Sequence, residues 1–342
     1  MMRRSLHALV LVFLAILPSG GAKAADTPIY VWVASHNERS YKDLGTLTEY
    51  LEYRDSLLKV LKILKSHGAA YHHGSDVTFL DAVTAFDVKG GTHLLKTNGK
   101  NIVRYLVEDL GFGEDPHAHE TTLANYADVA LKIRDLLGGD DSVIPTIANG
   151  ADVFGLTQYN RFKNGTTAVQ DATFSWKPTI LYGPGIPTHN NCLERNVSGM
   201  WHPKGVGHDY FEHESTEMLT VIGQGFRAGS GAITDETLAF ASAADYIKAL
   251  AFKIKAGKAP PNKVYTAMIF FNEQKMKEQG LHEALDRELR KLSPLVKSGQ
   301  VVFKQIGDIA ELWKKDYAEE GNLYDAVTFT AFREWKSLNC GE

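Results

Sequence analysis

The sequence has only two cysteines among its 342 residues, no cluster of lysine and arginine, and no apolar run of bilayer-spanning length. Each absence excludes something. Cys192 and Cys340 lie far apart and lack metal-ligand spacing, so a thiolate metal cluster is ruled out. Nucleic acids and anionic membranes are poor partners, because displacing counterions from phosphates takes clustered cations and this chain carries a formal charge of −4. Spanning a bilayer takes roughly 20 consecutive apolar residues, so no membrane span is expected in the mature protein. Neither G-x-G-x-x-G nor Gly-Lys-Ser/Thr occurs, which removes the common phosphate cradles. No Pro/Ser linker, internal repeat or low-complexity segment divides the chain.

What is present begins at the N-terminus. Arg3 and Arg4 precede an apolar run from Ala8 to Leu17, then Pro18 and small residues, and Ala22-Lys23-Ala24 presents small side chains where a signal peptidase inspects them. Residues 1–24 therefore read as a cleavable secretory signal, and the mature protein, from residue 25 to 342, is expected in the periplasm or outside the cell. Cleavage removes three cations and no acid, leaving the mature chain more negative. An oxidising compartment permits a Cys192–Cys340 disulfide, but sequence alone cannot say whether the two meet.

The mature chain alternates between short runs rich in β-branched and aromatic residues and segments of helical period. Strands are predicted at 29–34, 69–80, 112–119, 143–148, 178–183, 264–271 and 301–303. Helices are predicted at 46–67, opened by a Thr46/Glu49 capping box, and at 99–110, 121–137, 235–256, 281–292 and 308–315. Repeated β-α units imply an α/β fold with a mainly parallel sheet, and the strand number favours a distorted (β/α)7–8 barrel in a single domain. Two long irregular stretches, 150–176 and 184–218, are expected to be loops that build the active site at the C-terminal ends of the strands.

The most pointed chemical feature is Asp115-Pro116-His117-Ala118-His119 at the third strand end. Side chains alternate along a strand, so Asp115, His117 and His119 share a side, and two imidazoles in phase can grip one divalent metal, with zinc the first candidate. His36 and Glu38 repeat that phase at the first strand end. His36 would complete a three-histidine set with an open position, and Glu38 or Asp115 would serve as general base or as a fourth ligand. In the second long loop His189, Trp201, His202 and Tyr210 form a candidate substrate wall, with flat rings on which a sugar can stack. His213 is a candidate proton donor to a leaving group. His67, His72, His73 and His93 show no partner at strand spacing.

These pieces resemble the polysaccharide deacetylase and related glycoside hydrolase barrel group. The resemblance rests on His36-Asn-Glu38, Asp115-Pro-His-Ala-His119, Ser198-Gly-Met-Trp-His-Pro203 and the closing segment Gly299 to Trp313. It implies a barrel of seven or eight βα units, a carbohydrate substrate, and a metal-activated water attacking an N-acetyl group, with His117 and His119 on the metal. The first strand departs from the family's Asp-Asp pair, and His202 stands where an arginine usually precedes the proline. Two other readings stay open: a metal-free glycosidase using Glu38 and Asp115, and a non-catalytic exported protein that binds a sugar or a metal.

Overall fold

The computed structural model describes residues 27–36, 44–118, 123–150, 156–182, 196–225, 242–272 and 280–325, without the side chains at 36, 156–158 and 272. The signal segment, Glu38, His119, His189, Cys192 and Cys340 lie outside the described residues.

In chain order the elements are β1 (Ile29–His36), α1 (Leu47–Ser66), β2 (Tyr71–Ser75), α2 (Val77–Phe86), a short α3 (Ile102–Arg104) continued by a π turn, β3 (Gly113–Pro116), α4 (Tyr126–Leu136), β4 (Ile147–Asn149) and α5 (Leu156–Asn164). They continue through β5 (Thr166–Thr167), β6 (Ser175–Trp176), β7 (Ile180–Tyr182), β8 (Val197–Trp201), β9 (Thr220–Gln224), α6 (Ala243–Lys255), β10 (Tyr265–Asn272), α7 (Leu281–Lys297), β11 (Val301–Phe303), α8 (Ile306–Tyr317) and β12 (Tyr324–Asp325).

Local signals account for most of these bounds. Thr46 caps α1 and Glu49 returns the bond, as predicted. The buried stripe of α1 is Tyr50, Tyr53, Leu57, Val60, Leu61 and Leu64, however, and Leu47 is 47% exposed. Asn125 and Asp128 cap α4 reciprocally, so that helix starts later than residue 121, and Leu123 stands 75% exposed outside it. Asp128 also accepts the Val169 and Gln170 N–H groups, which pins the β5–β6 hairpin to α4.

Two sheets make the barrel. In the first, β1 runs parallel to β10 along its whole length, while its other edge is shared by β11 on Ile29–Val31 and β2 on Val33–His36, with β3 beyond β2. In the second, β4, β7 and β9 are parallel, β8 runs antiparallel to β9, and β12 pairs antiparallel with β8 at the far edge. The sheets meet where β3 lies against β4 and where β10 lies against β8 and β9. At the second seam Thr266 replaces a ladder. Its N–H donates to Ser198 Oγ (2.8 Å), its Oγ1 accepts the Gly199 N–H (2.7 Å), and its hydroxyl donates to the Gly223 carbonyl (2.6 Å). Asn322 covers the same seam, donating from its backbone to Met200 and from its amide to Val264. This is the expected distorted barrel with mainly parallel strands.

The outward faces of β1, β2 and β10 pack under α1, α6 and α7, those of β7, β8 and β9 pack with α4 and α5, and Trp32, Tyr182, Met200, Ile222 and Met268 fill the interior above α8. The predicted loops are only partly irregular. Residues 150–176 hold α5 and a hairpin, and 184–218 hold β8. Likewise 69–80 is a strand followed by a helix, not one strand, because Asp76 accepts the Phe79 N–H and caps α2.

The segment after α2 is held to α1 by Arg54, which is 0% exposed and donates to Asp87 (3.1 Å), Thr97 (2.7 Å) and the His93 carbonyl (3.3 Å). Asp87 also accepts the Ile102 N–H at 2.7 Å. Removing one partner of a buried ion pair strands the other charge, at a cost of about 3–5 kcal/mol. Arg54→Ala is expected to lower the urea midpoint by that much stability with an unchanged denaturant slope, and a loss under 1 kcal/mol would contradict this account.

Candidate functional site

The C-terminal ends of the parallel strands gather the first group of candidates. His36 ends β1, in register with Gly74 and Asn272. His117 follows β3 directly, is buried, and its Nδ1 donates to the Asn149 carbonyl at the end of β4 (3.0 Å), with its own N–H on the Ser75 carbonyl. A neutral imidazole with its proton on Nδ1 keeps its lone pair on Nε2. The Tyr126 hydroxyl shares the Asn149 carbonyl at 3.2 Å. The Asn149 amide reaches back over β2 to donate to the Ser35 carbonyl on β1 (2.8 Å). Gly74 leaves the space for that reach, since a Cβ there would sit 1.9 Å from Asn149 Nδ2 and 2.8 Å from the Ser35 carbonyl oxygen.

Asp115 is 3% exposed and turned into the barrel, below the mouth. Its Oδ2 accepts from His72 Nδ1 (2.7 Å) and from the Tyr182 hydroxyl (3.0 Å). His72 Nε2 in turn accepts the Ile306 N–H at the start of α8 (3.1 Å), which puts the ring proton on Nδ1. Burial, and then the Asp115 carboxylate, push the Tyr182 phenol well above its ordinary range. Asp115 thus ties β2, β3 and β7 together and, through His72, α8.

On the helix-facing side of the same strands, His73 Nδ1 faces the Glu114 carboxylate (3.0 Å) and Ser75 donates to Glu114. Burial raises the Glu114 pKa, with the His73 charge and the hydrogen bonds partly offsetting it. His67 pairs with Asp286 and His93 with Asp87. The four histidines without partners at strand spacing all have partners across elements. A usable signal existed, because the doublet His72-His73 on one strand faces the acid doublet Glu114-Asp115 on the next.

Of the expected substrate wall, the described members Trp201, His202 and Tyr210 lie elsewhere. β8 runs against β9, so the chain after Trp201 leaves at the opposite end of the barrel from His36 and His117. Trp201 is buried and donates from Nε1 to the Tyr210 carbonyl (2.6 Å), and Tyr210 is buried with its phenol pKa raised by burial. Neither ring has a face open for a sugar. His202 donates to the Leu219 carbonyl (3.1 Å) and packs on Trp313 with centroids 5.0 Å apart. His213 accepts the His202 backbone N–H (3.2 Å), so it too lies away from His36 and His117, and burial, then His202, lower its pKa.

Among the described residues no group of three or more His, Cys, Asp or Glu gathers to hold a metal ion. The expected His36 and His119 ligands fall on side chains that are not described. His117 fits the part of a ligand, because a carbonyl on Nδ1 fixes the ring and its tautomer and turns Nε2 to the metal in many metal sites.

No family model and no curated protein sequence matches this chain. The crystal structure of a probable polysaccharide deacetylase from Pseudomonas aeruginosa PAO1 superposes with a TM-score of 0.50 at 11% identity, covering 85% of this chain and 93% of that one. Puue allantoinase gives 0.48 at 12% identity over 85% and 91% of the two chains. A 4-alpha-glucanotransferase from Thermococcus litoralis gives 0.43 at 12% over 83% and 40%. At such identities the likeness is one of fold: this chain shares the barrel fold of the probable deacetylase structure.

Two outcomes follow from this geometry. Gly74→Ala is expected to cost about 1–3 kcal/mol by overpacking, read as a lowered urea midpoint; an unchanged midpoint would mean that Asn149 does not cross β2. Glu114 has a raised folded-state pKa, so it binds its proton more readily folded than unfolded, and its relative contribution falls as pH rises from the ordinary carboxylate range through that raised value. Glu114→Gln is therefore expected to stabilise the protein at pH 7 to 8 relative to wild type, with the gain vanishing toward pH 4. A gain that grew on acidification would have the wrong sign.

Proposed function

We propose that the protein is an exported, metal-dependent hydrolase that removes acyl groups from an N-acetylated carbohydrate at the C-terminal mouth of the barrel. The observation that carries this reading is the setting of His117: a buried imidazole at the end of β3, its Nδ1 on the Asn149 carbonyl and its lone pair on Nε2, in a fold shared with a polysaccharide deacetylase. His36 and His119 are the other proposed ligands, and zinc is the first candidate for an all-imidazole set with an open position. A divalent cation there supplies Lewis-acid polarisation of a carbonyl and a lowered water pKa.

The chain's own residues do the rest. The Asn149 carbonyl orients the His117 ring, and the Asn149 amide holds the ends of β1 and β4 at a set separation. Asp115 braces the strand that carries His117 from below. Glu38, two residues past the end of β1, is the proposed general base. Export rests on the N-terminal segment, and among the described residues no helix is long and apolar enough to cross a membrane. A metal-free pair of Glu38 and Asp115 has less support, since the Asp115 carboxylate is buried and already accepts two hydrogen bonds.

Metal analysis of the purified mature protein is expected to find about one divalent ion per chain, lost in His117→Ala and in His119→Ala. Acetate release from N-acetylated glycans should fall by about two orders of magnitude or more in His117→Ala, the scale of losing a metal ligand or its support. Stoichiometric metal in both variants would overturn the ligand assignment, and silence on N-acetylated glycans at full metal occupancy would overturn the deacetylase reading.

A further inference from the structure

Side chains of β9 alternate. Val221 packs outward with Tyr159 and Trp201, and Ile222 packs inward with Trp32, Tyr182 and Met200. Gln224, two residues on, therefore lies on the inward face at the C-terminal end of its strand. The register that pairs Leu181 with Val221 puts it beyond Tyr182, on the mouth side. It is 8% exposed, and its Oε1 is buried with no hydrogen-bond donor. A desolvated acceptor left without a donor is uncommon in native proteins and calls for an explanation. Trp32 Nε1 shares the condition, but Trp32 is 0% exposed, whereas Gln224 keeps 8% of its surface exposed.

The amide chemistry narrows what could satisfy Gln224. A primary carboxamide offers an acceptor oxygen and N–H donors side by side in one plane. A trans N-acetyl group points its N–H and C=O in opposite directions and can meet only one of them. Two hydroxyls on adjacent ring carbons can meet both, one donating to Oε1 and the other accepting from Nε2. We infer that Gln224 is a substrate-binding residue that reads a vicinal pair of sugar hydroxyls. This rests on the carbohydrate reading of the mouth and adds a specificity residue to it.

The test is a ligand-observed NMR titration of the mature protein with methyl N-acetyl-β-glucosaminide and with its 3-deoxy analogue, for wild type, Gln224→Leu and Gln224→Met. A site built to bond a hydroxyl rejects the analogue that lacks it, so wild type should prefer the intact sugar about tenfold or more. Gln224→Leu should erase the preference. Gln224→Met, which keeps the length with neither a carbonyl acceptor nor an N–H donor, should also lose it and serves as the deciding variant if the leucine protein does not fold. A preference that survives these substitutions, equal binding of the two sugars by wild type, or binding of neither overturns the assignment. Because the preference is an equilibrium quantity, it separates from turnover: preference without acetate release sinks the hydrolase reading alone, and acetate release without preference sinks the role of Gln224.

Discussion

Two open sheets meet edge to edge in this barrel, and at each meeting the backbone groups of the edge strands must find partners other than a regular ladder. Buried N–H and C=O groups left unpaired are costly, so closure depends on side chains of the right reach. Thr266 serves one seam by bonding Ser198, Gly199 and Gly223 at once, with Asn322 as a cover. At the other seam His117 bonds the end of β4, and Asn149 crosses the barrel to β1. The β3–β4 seam reaches the mouth at His117. The bond that closes the barrel there is the one that sets the His117 tautomer, so integrity of the fold and presentation of the imidazole are a single arrangement.

Below that seam, the alternation of strand side chains places two histidine–carboxylate pairs back to back across β2 and β3. His72 and Asp115 lie inside, diagonal in register, while His73 and Glu114 face each other on the helix side. The inner pair extends to the first N–H of α8, so the C-terminal helix is bonded to the strand that leads into His117. Buried charges persist only where hydrogen bonds satisfy them. Asp115 meets that condition with two donors, which join it to β2 and β7.

The reversal of β8 sends the residues that follow it to the end of the barrel opposite His117. In a wholly parallel barrel every long loop after a strand would open at one end, and the polar, aromatic stretch after residue 201 would line the mouth. Here the antiparallel pairing of β8 with β9 carries that stretch to the other end, where Trp201, Tyr210, His202 and Trp313 pack together as core and closure. Gln224, at the mouth end of the neighbouring parallel strand, occupies a position that the loop residues do not reach.

Local sequence was enough to determine the elements with strong periodic or capping signals: α1, α4, α6, α7, α8 and the apolar strands β1, β10 and β11, and with them the β-α alternation and the barrel class. It also placed His117 at a strand end, because a period of two is a property of the strand alone. β8 and β9 escaped because Gly199 and Gly223 interrupt their patterns, and each glycine answers a nonlocal demand, an added Cβ lying 1.6 Å from the Asn322 carbonyl oxygen and 2.3 Å from that of Val197. The direction of β8, the partners of His72 and His73, and the opposite ends assigned to His117 and His213 were decided by tertiary structure. Strand direction and cross-strand register depend on which edges meet in space, and residues far apart in sequence carry no local record of that meeting.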